Sequence, residues 1–245
     1  MSLVPLVLAL AAFAAGMMNA VAGGGSFVTL PALLFAGLDP RAANITSTIA
    51  LFPGQISTAL AGRRLVGEEI PFLRMTLISL AGGALGALLL VATPTSIFTL
   101  LLPFLVLFAT TVFAWGSFRR RPAGQARALG PVAAGLVQFA IAIYGGYYGG
   151  GIGFLMLAAL TLGGIATRTA IAAKNVLATA MNAAAVLVFL FAPGIAWGPA
   201  AIVAVAAIAG GLAGAWVLGR VHEKILRGAV VAIGAALTVG LFLRG

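Results

Sequence analysis

Apolar runs as long as a bilayer is thick recur from one end of this chain to the other, and no other feature restricts its folding as strongly. Stretches 97–118 and 198–219 contain no charged residue. About 20 apolar residues in helical form cross the hydrocarbon core of a membrane. A soluble surface is out of reach for the same chain. Only 7% of its 245 residues are charged, against about 25% in a soluble domain. The expected class is therefore an all-α polytopic membrane protein, with the membrane domain making up the whole chain.

The remaining composition removes several functions. No cysteine is present, which excludes disulfides and thiolate metal sites. The net charge is +10, but the basic residues are spread over separate short loops. That is the pattern of cytoplasmic loops, not the single basic patch of a nucleic-acid binder. Residues 2–22 are apolar from the start with no basic stretch before them, so they read as a mature membrane segment and not as a cleavable signal.

Breakers divide the chain into eight apolar segments: 3–37, 44–62, 72–92, 97–118, 129–165, 170–192, 197–219 and 228–243. The first and fifth are too long for one span. Each is interrupted by glycines, Gly23, Gly24 and Gly25 in one and Gly149, Gly150, Gly151 and Gly153 in the other. Each glycine in a helix interior costs about 1 kcal/mol against alanine, so three together break the helix. A shift of 127 positions superposes the two segments. It pairs Gly23 with Gly150, Gly24 with Gly151, Phe27 with Phe154, Gly37 with Gly164 and Arg41 with Arg168. Further on, Thr48 meets Asn175 and Gln55 meets Asn182. We read an internal duplication, 1–118 and 129–245, joined by a basic linker at 119–128.

Charge orients the two repeats. Basic loops at Arg63 to Arg74, Arg119 to Arg127 and Arg220 to Arg227 belong in the cytoplasm, while the loops at Thr93 and Pro193 carry no charge. All three basic loops face one side only if each glycine-broken segment enters and returns as a hairpin. Each half then has three full crossings and one re-entrant hairpin, and the second half is inverted relative to the first. A kinked full crossing is the alternative.

Polar residues inside the spans are few. Asn19, Asn44, Asn175 and Asn182 lie beside a glycine break or on the helix after it, with Gln55 and Gln138 nearby. All three tyrosines, Tyr144, Tyr147 and Tyr148, precede the second break. Polar side chains in a membrane face a bundle interior or a cavity. A single asparagine there is ordinarily interhelical glue; a set repeated around a helix break points to a cavity. A broken helix also leaves free N–H groups at the start of its second arm, which favour an anion. The glycines themselves have a plainer reading as close-packing residues.

Lys174, aligned with Ser47, is the most suggestive residue: a cation facing an anion site, or a side chain snorkelling to the interface. The expected substrate-binding set is Gly23, Gly24, Gly25, Asn44, Ser47, Thr48, Gln55, Tyr147, Gly150, Gly151, Gly153, Lys174, Asn175 and Asn182. The acidic residues Asp39, Glu68, Glu69 and Glu223 all fall in loops, as does the single histidine, His222. No intramembrane proton relay, metal site or nucleophile–base pair is indicated, so neither enzyme chemistry nor a cofactor is expected.

Two stretches also look familiar. AGGGSFVTLPALLFAGLDPRAANITSTIALFPG, at 22–54, resembles the first-repeat signature of the TauE/SafE family of sulfite and organosulfonate exporters. YGGYYGGGIGFLMLAALTLGG, at 144–164, with Lys174 and Asn175 after it, resembles the signature of the second repeat. The resemblance covers essentially the full length. It implies a bacterial inner-membrane permease for sulfur-containing anions such as sulfite, sulfonates or thiosulfate. The expected partners are a small anion and the bilayer, not nucleic acid; association as a homodimer is left open. An anion channel and a membrane subunit that binds without transporting are the alternatives.

Overall fold

The computed structural model describes residues 3–21, 24–62, 71–118, 130–217 and 223–244. Gly23, Arg63, Arg64, Glu68, Glu69, the basic linker, Arg220 and His222 lie outside them. Among the described residues there are ten helices and no strand: α1 (Val4–Val21), α2 (Ser26–Phe35), α3 (Pro40–Gly62), α4 (Phe72–Ala92), α5 (Thr95–Phe118), α6 (Pro131–Tyr147), α7 (Ile152–Leu162), α8 (Thr167–Phe189), α9 (Trp197–Val217) and α10 (Glu223–Arg244). By length and apolarity alone, α4, α5 and α8 are able to cross a membrane.

The two long apolar segments each resolve into two helices, α1 with α2 and α6 with α7. Both pairs fold back. A Cβ on Gly25 would meet the carbonyl oxygen of Ala15 at 2.7 Å, and one on Gly145 would meet Ile152 at 3.0 Å. In a continuous helix, residues ten apart stand about 15 Å apart, so the first segment reverses at its glycines and does not merely kink. Glycine is required at the reversal. Gly24 has φ 101° and Gly151 has φ 73°, a left-handed backbone that costs other L-residues about 1–2 kcal/mol. The short second arms end alike. After α2, Leu38 N–H donates to the Leu33 carbonyl and Gly37 N–H to that of Leu34; after α7, Ile165 donates to Leu160 and Gly164 to Thr161. These are Schellman caps, with Gly37 at φ 92° and Gly164 at φ 91°.

Packing has the same regularity. Helix α1 lies on α9 and α6 on α4; α9 also lies on α3, and α4 on α8. Exchanging every helix with the one five places along converts each of these contacts into another of them. The contacts of α3 with α8 and of α5 with α10 map onto themselves. Glycines allow the closest crossings. A side chain on Gly16 would strike the Ala207 backbone, one on Gly210 that of Phe13, and one on Gly83 that of Met181. With lipid tails as apolar as leucine, helix association in a membrane relies on such close backbone approach. Outward faces carry exposed apolar residues such as Leu100, Phe104, Leu136, Val205 and Leu212.

Hydropathy underestimates some ends. α3 begins at Pro40, before residue 44, because proline suits the first turn of a helix. α10 begins at Glu223, before residue 228, because its first turn is charged and helical at once.

Candidate functional site

Helices α3 and α8 pack on each other, and residues of both glycine breaks share a cavity with them. Its volume is about 50 Å³. One water needs about 10–15 Å³ on this measure, so the space suits an ion of a few heavy atoms. Two larger hollows, of about 430 and 670 Å³, lie against α10; their walls are mainly apolar, with Leu34, Leu241 and Phe104, though Ser96 and Thr99 line the larger. Among the described residues neither is lined by a cation that would offset an anion's lost hydration, so the smaller cavity, which holds Lys174, is the candidate site.

Both halves build its wall in matched positions. Thr48 and Asn175 line it, as do Leu51 and Ala178, Gln55 and Asn182, and Ser26 and Gly153; each pair stands 127 residues apart. Asn182 Nδ2 donates to Gln55 Oε1 at 2.6 Å, and the Thr179 hydroxyl donates to the Gln55 carbonyl at 3.2 Å. The matched pair Gln55 and Asn182 thus touch each other directly. The starts of α2 and α7 reach the cavity through Ser26, Ile152 and Gly153, and Gly24 and Gly149 complete the two breaks. The positive ends of two helix dipoles therefore lie at its wall.

Lys174 lines the same cavity and is 5% exposed. Among the described residues its ammonium has no hydrogen-bond or ion-pair partner, and no carboxylate lines the cavity. Snorkelling to the interface is thus not its arrangement. Its matched position, Ser47, is also buried, but pairs with the Thr29 hydroxyl at 2.6 Å.

The expected residues therefore sort into groups. Gly24, Thr48, Gln55, Gly153, Lys174, Asn175 and Asn182 line the cavity. Four others support the breaks without lining it. Gly25 donates its N–H to Asn19 Oδ1 at 2.8 Å, and the Gly150 carbonyl accepts the Tyr144 hydroxyl at 3.1 Å. Gly151 packs on Ala109, and Ser47 bonds Thr29. Asn44 and Tyr147 stand at one end of α3, where Asn44 Nδ2 donates to the Tyr147 carbonyl at 3.1 Å. Gly23 lies outside the described residues. The lining also includes Asn19 and Gly149, noted at the breaks but not placed in the expected set, and Ser26, Thr58 and Thr179, which the sequence did not single out. A helical step from flagged neighbours finds two of them. Thr58 is three residues after Gln55, and Thr179 four after Asn175.

Among the described residues the helices pack around a buried polar cavity with Lys174 and two helix starts in its wall, an arrangement suited to a small polar solute. Comparison with known proteins gives the particular class. The family model described as "Sulfite exporter TauE/SafE" matches residues 8–241, and the chain belongs to that family. It is 30% identical to the "Probable membrane transporter protein ORF9" of Sinorhizobium sp over 94% of this chain and 89% of that one. It is 29% identical to a "Probable membrane transporter protein" of Haemophilus influenzae, over 92% and 89%. It is 26% identical to the "Probable membrane transporter protein YfcA" of Escherichia coli K12, over 96% and 88%. No solved structure matches the chain significantly. The family is one of membrane transporters, not of enzymes.

Proposed function

We propose that this chain is a bacterial inner-membrane carrier that exports a small sulfur-containing oxyanion, bound between two inverted repeats, 1–118 and 129–245. The observation that carries the reading is Lys174, an ammonium buried in the cavity where both glycine breaks end, with no partner among the described residues. A buried charge is tolerated when a counter-charge and hydrogen bonds satisfy it, and an anion supplies the counter-charge. N–H groups at the two helix starts, with the Gln55, Asn175 and Asn182 amides and the Thr48 hydroxyl, orient its oxygens. The size of the cavity favours sulfite, or a compact relative, over sulfonates with large substituents.

With the basic loops in the cytoplasm, export of one negative charge from an inside-negative cell is favoured by about 2.3 kcal/mol per 100 mV. No intramembrane carboxylate is then needed for driving force. Rocking of one repeat against the other supplies alternating access. The test is sulfite flux in proteoliposomes with an imposed potential of either sign. Saturable flux that follows the potential is expected, and Lys174→Gln lowers it about 10- to 100-fold, the worth of one charged hydrogen bond. Flux insensitive to that substitution removes Lys174 from the site. Flux far above carrier turnover makes the protein a channel.

A further inference from the structure

The faces that α3 and α8 turn to the cavity match position for position, but at one position they differ sharply in bulk. Thr48 faces the cavity with Asn175, and Gln55 with Asn182, and all four are polar. The matched pair between them is apolar, Leu51 on α3 and Ala178 on α8. On each helix these lining positions are three and four residues apart, which sets them on one stripe. Leu51 therefore stands in the middle of the polar wall of α3, between Thr48 and Gln55.

Neither side chain of the middle pair forms hydrogen bonds, so what the pair gives the wall is shape. Leucine carries three more carbon atoms than alanine. Leu51 is 2% exposed and belongs to the large apolar cluster of the protein. Close packing of that kind holds a side chain in its rotamer, so Leu51 does not swing aside for a larger guest. Ile152 is the other large apolar residue among the described lining residues. Its Cγ2 methyl is turned to α6, 3.0 Å from where a Cβ on Gly145 would lie. The space left is about 50 Å³. At about 10–15 Å³ for each water-sized group, the sulfur and three oxygens of sulfite fill it.

We infer that Leu51 sets the size limit of the site: an SO₃ head enters, and a sulfonate with a tail of two carbons or more is excluded. Ala178, at the matched position, is the small residue that keeps the space open. Sulfite as the cargo comes from the proposed carrier function, on which this role of Leu51 rests.

Methanesulfonate, ethanesulfonate and propanesulfonate share one head and one charge and differ only in tail, so with sulfite they form a series that reads size. Binding is followed as the rise in unfolding temperature in detergent, and access to the carrier as inhibition of sulfite flux in proteoliposomes. The parent protein is expected to respond to sulfite but not to ethanesulfonate or propanesulfonate. Leu51→Ala gives α3 the residue that α8 already carries, and it binds ethanesulfonate at least about 10-fold more tightly than the parent, the discrimination that one methylene commands in a closed pocket. Leu51→Val trims a single carbon, keeps more of the packing and extends the series less; it serves where alanine weakens the fold. Ala178→Leu fills the remaining space and abolishes the response to sulfite. Leu102→Ala makes the same cut at a fully buried residue outside the wall and leaves the series unchanged. A parent that binds propanesulfonate as well as sulfite overturns the size limit. So does a series that neither Leu51→Ala nor Leu51→Val extends, or that Leu102→Ala extends as far. With sulfite flux intact, each of those results leaves the carrier standing. Binding that follows the Leu51 pattern without sulfite flux removes the carrier and keeps the size limit, and no response to any of the four anions in parent or variants overturns both.

Discussion

The two glycine breaks make the same turn with different chemistry. At the first, small polar groups hold the chain: Asn19 takes the Gly25 N–H, and the Thr29 hydroxyl bonds Ser47 and reaches back to the Gly25 carbonyl at 3.3 Å. At the second, aromatic rings do it. The Tyr144 ring packs on Phe108 and Tyr148, its hydroxyl caps the Gly150 carbonyl, and Tyr148 is buried against Gly150. Where the first break has Thr29 and Ser47, the matched positions of the second are Met156 and Lys174. Methionine cannot satisfy an ammonium, so the charge is left for the cavity. The first break is a hydrogen-bonded wall, and the helix after the second carries the cation. The turn is shared, and the difference in side chains is what puts a charge in the cavity wall.

The largest effect expected from this difference concerns Lys174 and has opposite signs in stability and function. Lys174→Met repeats the apolar choice already made at Met156. Removing an unpaired buried charge in favour of an apolar side chain raises stability by about 1–4 kcal/mol, seen as a higher unfolding temperature in detergent without substrate. On the proposed function, sulfite is expected to stabilise the parent protein by mass action and to leave Lys174→Met unmoved. A variant that is both less stable and still sulfite-responsive would place the ammonium in a structural role and dissolve the contrast between the halves.

The next effect tests the shared backbone. Alanine at any of the left-handed break glycines, Gly24, Gly149 or Gly151, costs about 1–2 kcal/mol, but Gly151→Ala also brings a Cβ within 3.1 Å of the Ala109 Cβ. Its loss of thermal stability therefore exceeds that of alanines placed at neighbouring helical positions in α7, where the backbone is unstrained. Equal losses would mean that the break relaxes without its left-handed residue.

Much of this was legible in the residues. Consecutive glycines at a 127-residue spacing announced both breaks, because no apolar helix tolerates three together. The helical faces of α3 and α8 announced Thr48, Gln55, Asn175 and Asn182, because polar groups in lipid must turn inward. Distance in the sequence hid the rest. Asn44 and Tyr147 have the same composition as ligands, and only the meeting of α3 with the end of α6 shows them bonded to each other's element instead. Ser47 looked equivalent to its neighbour Thr48, yet a step of about 100° around the helix turns it to Thr29 and away from the cavity. Ser26 was missed, and Gly149 was read only as a helix breaker, because a glycine-broken turn has no periodicity from which to assign a face.

A smaller effect separates the wall from the charge. Ser47→Ala removes the partner of the Thr29 hydroxyl, which keeps the Gly25 carbonyl as acceptor. A loss of about 0.5–1.5 kcal/mol is expected, with sulfite affinity unchanged because Ser47 does not line the cavity. Calorimetry of sulfite binding checks it; an altered affinity would bring the first repeat's hydroxyl pair into the site.

The smallest effect is expected at Tyr144, and it tests whether the second break is held by rings rather than by hydrogen bonds. Tyr144→Phe loses donation to the carbonyls of Gly150 at 3.1 Å and Leu105 at 3.3 Å. It keeps the edge contact with Phe108, at 5.5 Å between ring centres. Both bonds are long and neutral, so the cost stays at or below about 1 kcal/mol. Tyr144→Ala removes the ring as well, and loss of a large aromatic side chain from a packed site costs about 3–5 kcal/mol. The ratio of the two is the measurement, taken from unfolding in detergent. At Asn19, where the break is held through a single amide oxygen, Asn19→Ala should cost about as much as one hydrogen bond, with no ring term to add. If Tyr144→Phe proved as damaging as Tyr144→Ala, the hydroxyl would be the clamp, and the two breaks would be built on the same principle after all.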